Sequence, residues 1–460
     1  MKITVVGSGY VGTVVAACFA FLGHEVIGVE VDPGRLAMLE KGRAPFHEPG
    51  LDTLLADEVG AGRLTFTGDI GEAAARAAVV FLSVGTPSGL NGNPDLTALD
   101  AAVRTLGGAL NGPTTIVTKS TVPVGTNQWV QSLIEDEMSA RGLDDISVPM
   151  AANPEFLRVG TAIEDFLHPD RIVVGADDPI AQTTMRALYE PIVQQQFPQP
   201  SPAPRAVTVE YVETTLSTAE LIKYASNSFL AMKISFINEI AQICDRVGAD
   251  VTQVAEAMGM DHRISPQFLR AGLGWGGSCF GKDLTALATT AREHGFEPPL
   301  LQAIGAVNDY QRLEVVRKLQ AHLGTLRGKR VALLGLAFKP DTDDTRDAPA
   351  TQIAAKLRQL GAVVVGHDPV VTSLPDERQL PILADPYEAV QRADAAVIIT
   401  EWPQFGTLDL KRMANLMHGN LIIDGRNVLN PAEAIRAGLV YEGIGRGGTL
   451  GSPRRRVSDV

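Results

Sequence analysis

The sequence predicts an α/β protein with two doubly wound parallel-sheet domains, joined by a helical middle that carries one long spine helix. Three observations carry this reading. Strand-like apolar runs alternate with helical stretches from Lys2 to about Gly175. A continuous helical pattern then runs from Ser217 to Gly248. A second strand-turn-helix-strand unit begins at Lys329-Arg330-Val331-Ala332-Leu333-Leu334-Gly335 and reaches Val363-Val364-Val365-Gly366-His367-Asp368-Pro369. The expected boundaries are 1–205 for the N-terminal domain, 206–325 for the middle and 326–445 for the C-terminal domain. Residues 446–460, with Arg454-Arg455-Arg456, read as a polar, disordered tail.

The first strand, Lys2-Ile3-Thr4-Val5-Val6, runs into Gly7-x-Gly9-x-x-Gly12, with Tyr10 and Val11 between the second and third glycines. After a strand and at the start of a helix, such glycines have separate tasks. One makes the tight turn, one leaves room for a pyrophosphate against backbone N–H groups, and one lets helix and strand pack closely. The second strand, Glu25-Val26-Ile27-Gly28-Val29, ends at Glu30. A carboxylate there accepts from ribose hydroxyls and repels a 2′-phosphate, which favours NAD over NADP. A glycine turn alone also occurs in unrelated α/β proteins; the strand, helix and acidic residue in order make this unit Rossmann-like.

Later strands end in polar loops, where sheets of this kind bind ligands. Ser83-Val84-Gly85 leads to Thr86, Thr118-Lys119-Ser120 to Thr121, and Asn153-Pro154 to Glu155, Phe156 and Leu157. Thr86 and Thr121 can touch cofactor or position a water, and Glu155 is a candidate general base. Taken singly, each reads equally well as a turn or capping residue. The proline-rich stretch from Phe197 to Pro204 breaks the pattern as a surface loop. In the long helix, Ser217 and Glu220 form a capping-box pattern and Gly248 a stop. A helix of that length spans roughly 45 Å, suited to a spine or a dimer interface. The second unit lacks the third glycine, so a different nucleotide is expected there.

Composition narrows the function. The chain has 460 residues, 45% of them hydrophobic, enough for two or three domains with ordinary cores. A net charge of −13 argues against a nucleic-acid or anionic-membrane surface. No apolar stretch is long enough to span a bilayer. The immediate strand at the N-terminus leaves no room for a signal peptide, so the expected location is cytoplasmic. Three separated cysteines and eight histidines show no disulfide framework and no ligand spacing, and no metal is expected.

The chemistry centres on Cys279, in Gly274-Trp275-Gly276-Gly277-Ser278-Cys279-Phe280-Gly281-Lys282-Asp283. Glycines allow close approach to the sulfur, while Lys282 and Asp283 supply charge to tune a thiol. Cys18 and Cys244, among apolar neighbours, read as inert core residues. A hydride acceptor and a thiol nucleophile together point to an alcohol carried through the aldehyde to the acid. Lys223 and Asn227, four apart on one helical face, can form an oxyanion-stabilising pair. Without Cys279, a snorkelling lysine would be the simpler reading of Lys223.

Five motifs stand in order: the glycine fingerprint, Lys-Ser-Thr-Val-Pro-Val-Gly-Thr (119–126), Asn-Pro-Glu-Phe-Leu (153–157), Ala-Glu-Leu-Ile-Lys-Tyr-Ala-Ser-Asn (219–227) and Gly-Gly-Ser-Cys-Phe-Gly-Lys-Asp (276–283). In these the chain resembles the UDP-glucose/GDP-mannose dehydrogenase family, from Met1 to about Gly445. The resemblance implies NAD-dependent four-electron oxidation of UDP-glucose to UDP-glucuronate by a homodimer or higher homo-oligomer; GDP-mannose or a UDP-N-acetylhexosamine is the alternative substrate. It implies Cys279 as nucleophile, Glu155 as acid/base group, Lys223 and Asn227 at the oxyanion, and Thr121 and Asp283 at the water. Gly7, Gly9, Tyr10, Val11, Gly12, Glu30, Thr86, Thr121 and Arg346 become cofactor contacts. Glu155, Phe156, Leu157, Lys223, Asn227, Phe268, Leu269, Arg270, Gly276, Phe338, Lys339 and Arg426 line the sugar nucleotide, and Arg263 reaches a neighbouring subunit's substrate. The family's glutamate two residues beyond Phe-Leu is Val159 here, which bears on a cofactor contact rather than on the chemistry.

Overall fold

The computed structural model describes residues 1–89, 92–198, 208–374 and 380–447. The proline-rich loop lies partly, and the tail from residue 448 wholly, outside the described residues. Two compact units are present: Met1–Ser226 with Thr285–Gly295, and Asn227–Leu284 with Phe296 onward.

The first unit holds an eight-stranded sheet. Its strands are β1 (Lys2–Val6), β2 (Glu25–Val29), β3 (Leu64–Thr67), β4 (Val79–Leu82), β5 (Thr115–Thr118), β6 (Met150–Ala152), β7 (Arg171–Gly175) and β8 (Glu210–Thr214), in spatial order 3-2-1-4-5-6-7-8. Order reverses between β1 and β4, which opens a crevice at the carboxyl ends of the strands. Strands β1, β4 and β5 are almost wholly buried, as expected where helices cover both faces. One apolar core, with Val15, Phe19, Phe81 and Leu188, lies on one face; another, with Val80, Leu106, Ile116 and Ile134, lies on the other.

Two details differ from expectation. Strand β7 meets β6 antiparallel, through Ala152 and Gly175, while β7 and β8 run parallel. Strand β8 falls in sequence assigned to the helical middle. It is an exposed edge strand, so it lacks the apolar alternation that marks buried strands.

The long helix is a single element, Leu216–Val247, 32 residues. It ends as expected: Gly248 adopts φ +80° and donates to the Cys244 carbonyl. The capping box at its start is not formed. Thr215 Oγ1 instead accepts from Thr218 N–H at 3.3 Å. Glu220 is drawn to the start of another helix, Thr126–Ser139, accepting from Gly125 N–H at 2.7 Å and Asn127 N–H at 2.9 Å. The uncapped amides there present partial positive charge, which a buried carboxylate satisfies better than its own helix start.

The second unit contains a wholly parallel sheet of β9 (Arg330–Leu334), β10 (Val363–His367), β11 (Ala395–Ile398), β12 (Leu421–Asp424) and β13 (Val440–Gly443), ordered 10-9-11-12-13. Its core takes in Leu333, Ile353, Val397 and Ile422. Helices Val251–Gly259, Pro299–Arg312 and Glu314–Leu323 belong to the same unit.

Candidate active site

The fingerprint folds as a dinucleotide cradle. Gly7 sits at φ +95°, and a Cβ there would meet the Ser83 carbonyl oxygen at 2.8 Å. A Cβ on Gly12 would lie 1.8 Å from the Gly7 carbonyl oxygen, so helix and turn touch only because both are glycine. Beside Gly9 there is nothing within 4 Å, and the helix Tyr10–Phe21 begins with neither a side-chain cap nor an acidic residue. Its first N–H groups are therefore open to an anion. Glu30, at the end of β2, is buried; Asp32 N–H donates to it at 3.0 Å and Arg35 lies 3.7 Å away. These residues fit a dinucleotide, with Glu30 placed for ribose hydroxyls.

The corresponding turn in the second unit is built differently. Asp368, at the end of β10, accepts from Leu336 N–H at 2.7 Å, Ala337 N–H at 3.1 Å and Trp402 Nε1 at 3.1 Å. A carboxylate already occupies amides that the first unit leaves open. That turn therefore lacks the open amides of the first unit, in line with the missing glycine.

One further residue of the fingerprint loop, Tyr10, is tied down by a carboxylate that sequence reading missed. Glu48 accepts from the Tyr10 phenol, from Gly160 N–H at 2.6 Å and from Ala162 N–H at 2.7 Å. Burial first, then Glu48, pushes the Tyr10 phenol far up, so it stays protonated. The Tyr10 side chain thus helps to fix the segment after Val159, where Gly160 N–H also donates to its hydroxyl at 3.1 Å. Thr86 Oγ1 donates to the Thr121 carbonyl at 2.8 Å, which links two of the predicted loops.

Glu155 and Lys223 form a buried ion pair. The Lys223 ammonium donates to Glu155 Oε1 at 2.8 Å and to the Glu155 main-chain oxygen at 2.6 Å. Burial raises the Glu155 carboxyl, but Lys223, the Leu157 N–H and Lys119 outweigh it and hold the group below the usual carboxylate range. Phe156 stacks against Arg171, whose guanidinium lies 4.0 Å from the ring centroid.

In the second unit, Cys279 is exposed and directly precedes the helix Phe280–Glu293; its carbonyl accepts from Asp283 N–H at 2.9 Å. A helix start favours an anionic sulfur, a feature beyond the local charges noted in the sequence. Asp283 is fully buried between Asn227 Nδ2 and Lys282 Nζ, each at 2.6 Å. Lys223 and Asn227, though neighbours on one helix, thus bind two different carboxylates. A buried ammonium needs a counter-charge, and each partner is set by its own surroundings.

The glycine loop before Cys279 is held by residues the sequence did not flag. Arg312, almost wholly buried, donates to the Trp275 carbonyl at 2.6 Å and to Asp347 at 2.6 Å. Asn308 receives Trp275 N–H at 2.8 Å and donates to its carbonyl at 3.1 Å. Their signal was a polar pair four apart on an otherwise core-facing stripe of helix Pro299–Arg312. Gly277 adopts φ +85° and a Cβ there would strike the Phe338 ring at 2.9 Å, while one on Gly276 would strike the Asp347 carbonyl oxygen at 2.5 Å. Phe338 therefore packs on the cysteine loop.

The other predicted contacts are placed as follows. Arg346 binds Asp344 at 2.7 Å; that bond is the main reason its guanidinium is raised, and the charge of Cys279 adds to it. Arg426 donates to the Ile399 carbonyl at 2.7 Å and the Gly274 carbonyl at 3.2 Å. The Lys339 ammonium lies 5.9 Å from the Phe338 ring centroid. Phe268, just before Leu269 and Arg270, adopts φ +64°, which costs a non-glycine residue about 1–3 kcal/mol. Arg263 is exposed and pairs with Asp261 at 2.6 Å.

Comparison with known proteins shows the family. The UDP-glucose/GDP-mannose dehydrogenase family matches in three parts: its NAD binding domain over residues 1–193, its central domain over 217–310 and its UDP binding domain over 332–431. The chain belongs to this family. It is an NAD-dependent oxidoreductase with a domain for a UDP-bearing substrate. A UDP-glucose 6-dehydrogenase of Rhizobium meliloti is 46% identical over 454 residues, covering 97% of this chain and 100% of the relative. The structure of a UDP-glucose dehydrogenase from the hyperthermophilic archaeon Pyrobaculum islandicum superposes with a TM-score of 0.86, at 38% identity, covering 96% of this chain and 97% of that one. A UDP-D-ManNAc dehydrogenase from Pyrococcus horikoshii gives 0.84 at 26% identity, covering 97% and 100%. Among the described residues, no helix is long and apolar enough to cross a membrane.

Proposed function

We propose that this chain oxidises the 6-hydroxymethyl group of UDP-glucose to the carboxylate of UDP-glucuronate, with Cys279 holding the substrate between two oxidations. Bound NAD supplies the hydride acceptor for each. The chain's own groups handle protons and carbon–sulfur bonds. As the alcohol becomes an aldehyde, its hydroxyl proton passes to solvent or a protein base. The Cys279 thiolate then adds to the aldehyde carbon and the oxygen takes a proton, forming a thiohemiacetal. Loss of the second hydride and of that proton leaves a thioester. Glu155 takes a proton from water, which attacks the thioester carbon; the C–S bond breaks and the thiolate and carboxylic acid are released.

Lys223 and Asn227 act on the oxyanion, and Thr121 and Asp283 orient the water. Gly7, Gly9, Gly12, Glu30 and Thr86 hold the cofactor, whereas Phe338, Lys339, Arg426 and the Phe268–Arg270 backbone hold the sugar nucleotide. The observation that carries this reading is an exposed cysteine at a helix start, in a chain that also builds an open dinucleotide cradle. Two NADH should form per sugar consumed, with no free aldehyde. A ratio of one would overturn the thioester route. The same chemistry on another sugar nucleotide is the second reading, because a relative of the same length is named for UDP-D-ManNAc. A panel of sugar nucleotides separates the two.

The active unit is a dimer or larger assembly. On the long helix, Phe229, Phe236, Ile243 and Val247 are exposed at 58%, 45%, 49% and 70%, spaced seven, seven and four residues apart. That spacing aligns them as one apolar ridge, suited to a second copy of the chain. Sedimentation of the intact protein tests this, and a monomer at micromolar concentration would refute it.

A further inference from the structure

Lys119 is a buried amine that the proposed reaction does not use. It lies just after β5, where its Nζ donates to Asn153 Oδ1 at 2.8 Å and to the Tyr189 hydroxyl at 3.5 Å. The same Asn153 oxygen accepts from the Tyr189 hydroxyl at 2.6 Å, and Asn153 Nδ2 donates to the Val173 carbonyl at 2.8 Å. Both partners of the ammonium are neutral. A buried ammonium with neutral partners is costly unless a carboxylate acts on it from nearby. Glu155, two residues beyond Asn153, supplies that charge.

We propose that Lys119 is a positioning residue for Glu155: anchored through Asn153, its ammonium acts across the Asn153-Pro154-Glu155 turn and keeps that carboxylate ionised under acid conditions. This rests on the acid/base role proposed for Glu155. Three ionisable groups share the pocket, two amines and one carboxylate, so the cluster is neutral overall when one amine has lost its proton. Burial brings the Lys119 ammonium down to about 7; Glu155 opposes this and Lys223 adds to it. As pH falls below neutrality, Lys119 therefore gains its charge and resists protonation of Glu155. The other groups facing this cluster are the Tyr189 phenol, driven far up by burial, and behind it Tyr211 and Cys18. All stay neutral across this range, which leaves Lys119 and Lys223 as the cations acting on Glu155. A lysine serving only as packing would leave the titration of Glu155 untouched.

The test compares the intact enzyme with Lys119→Met in two ways. The first is the pH dependence of kcat with UDP-glucose and NAD. The second is the carboxylate titration of Glu155 in the enzyme without substrate, followed by carbon-13 NMR of labelled glutamate and assigned with Glu155→Gln. Lys119→Met should move both the acid limb of kcat and the Glu155 titration to higher pH. An unshifted Glu155 titration in a folded Lys119→Met protein overturns the proposal, whatever the activity. Should that variant fail to fold, nitrogen-15 NMR of lysine in the unaltered protein decides. An amine that loses its proton near neutrality and shifts the Glu155 signal as it does so supports the proposal; no such coupled amine overturns it. Absence of turnover on UDP-glucose would count against the substrate reading alone, because the titration needs no substrate.

Discussion

The Lys223 ammonium binds Glu155 twice, at 2.8 Å to the carboxylate and 2.6 Å to the main-chain oxygen, and both residues are buried. One contact fixes charge and the other fixes the backbone, so the acid/base group and its turn are held together. Removing either partner leaves an uncompensated group inside the protein, which costs about 3–5 kcal/mol when a buried pair is broken.

Lys223→Ala should therefore destabilise the fold and also lower kcat by on the order of 10²–10³, more than it raises KM, as for a lost oxyanion donor. Denaturant melts and steady-state kinetics check the two effects. A change in KM alone would show that the residue binds ground-state substrate. The double variant with Asn227→Ala should fall short of the product of the single effects.

The pair also sets a pH dependence. Glu155 is held below its unfolded range, so its stabilising contribution is complete above that range and is lost as pH falls through the lowered folded value. Acid unfolding of Glu155→Gln should accordingly be less steep than that of the unaltered protein. Equal slopes in melts at a series of acid pH values would contradict the linkage.

Cys279→Ser should abolish steady-state four-electron turnover while cofactor binding persists, since the cradle lies in a different stretch of chain and a serine hydroxyl is a far weaker nucleophile. Slow aldehyde formation or a trapped ester is the expected residue of activity, read by mass spectrometry of the intact protein. Near-normal turnover would make Cys279 structural.

Glu30→Ala should weaken NAD binding and narrow the preference over NADP, because Arg35 remains 3.7 Å from the vacated position to meet a 2′-phosphate. Cofactor titration with both nucleotides measures it. Equal use of both by the unaltered enzyme would contradict the ribose assignment.

Arg312→Leu should cost roughly 1–3 kcal/mol through loss of the charge-assisted bonds to the Trp275 carbonyl and Asp347, which leaves Asn308 alone on that carbonyl. It should also slow turnover by loosening the loop that ends at Cys279. Melting temperature and kcat should fall together. A destabilised variant with unaltered kcat would mean that the loop keeps its shape without the arginine.

The sequence by itself determined what is local. Glycine spacing after β1, the acidic end of β2, the length of the spine helix and the stop at Gly248 all depend on residues within a few turns of one another. Those rules of sterics and capping can be read in one dimension. The cysteine loop was legible for the same reason. Tertiary structure decided which polar groups meet. Lys223 pairs with Glu155 across 68 residues and Asn227 with Asp283 across 56, although helical spacing makes the two donors neighbours. Glu220 left its own helix start for the amides near Gly125, Glu48 took charge of the segment after Val159, and Asp368 filled the second turn. Strand β8 was hidden because an exposed edge needs no apolar alternation. In each case a buried charge or open amide chooses whichever partner the folded chain brings within reach, and one-dimensional spacing does not encode that choice.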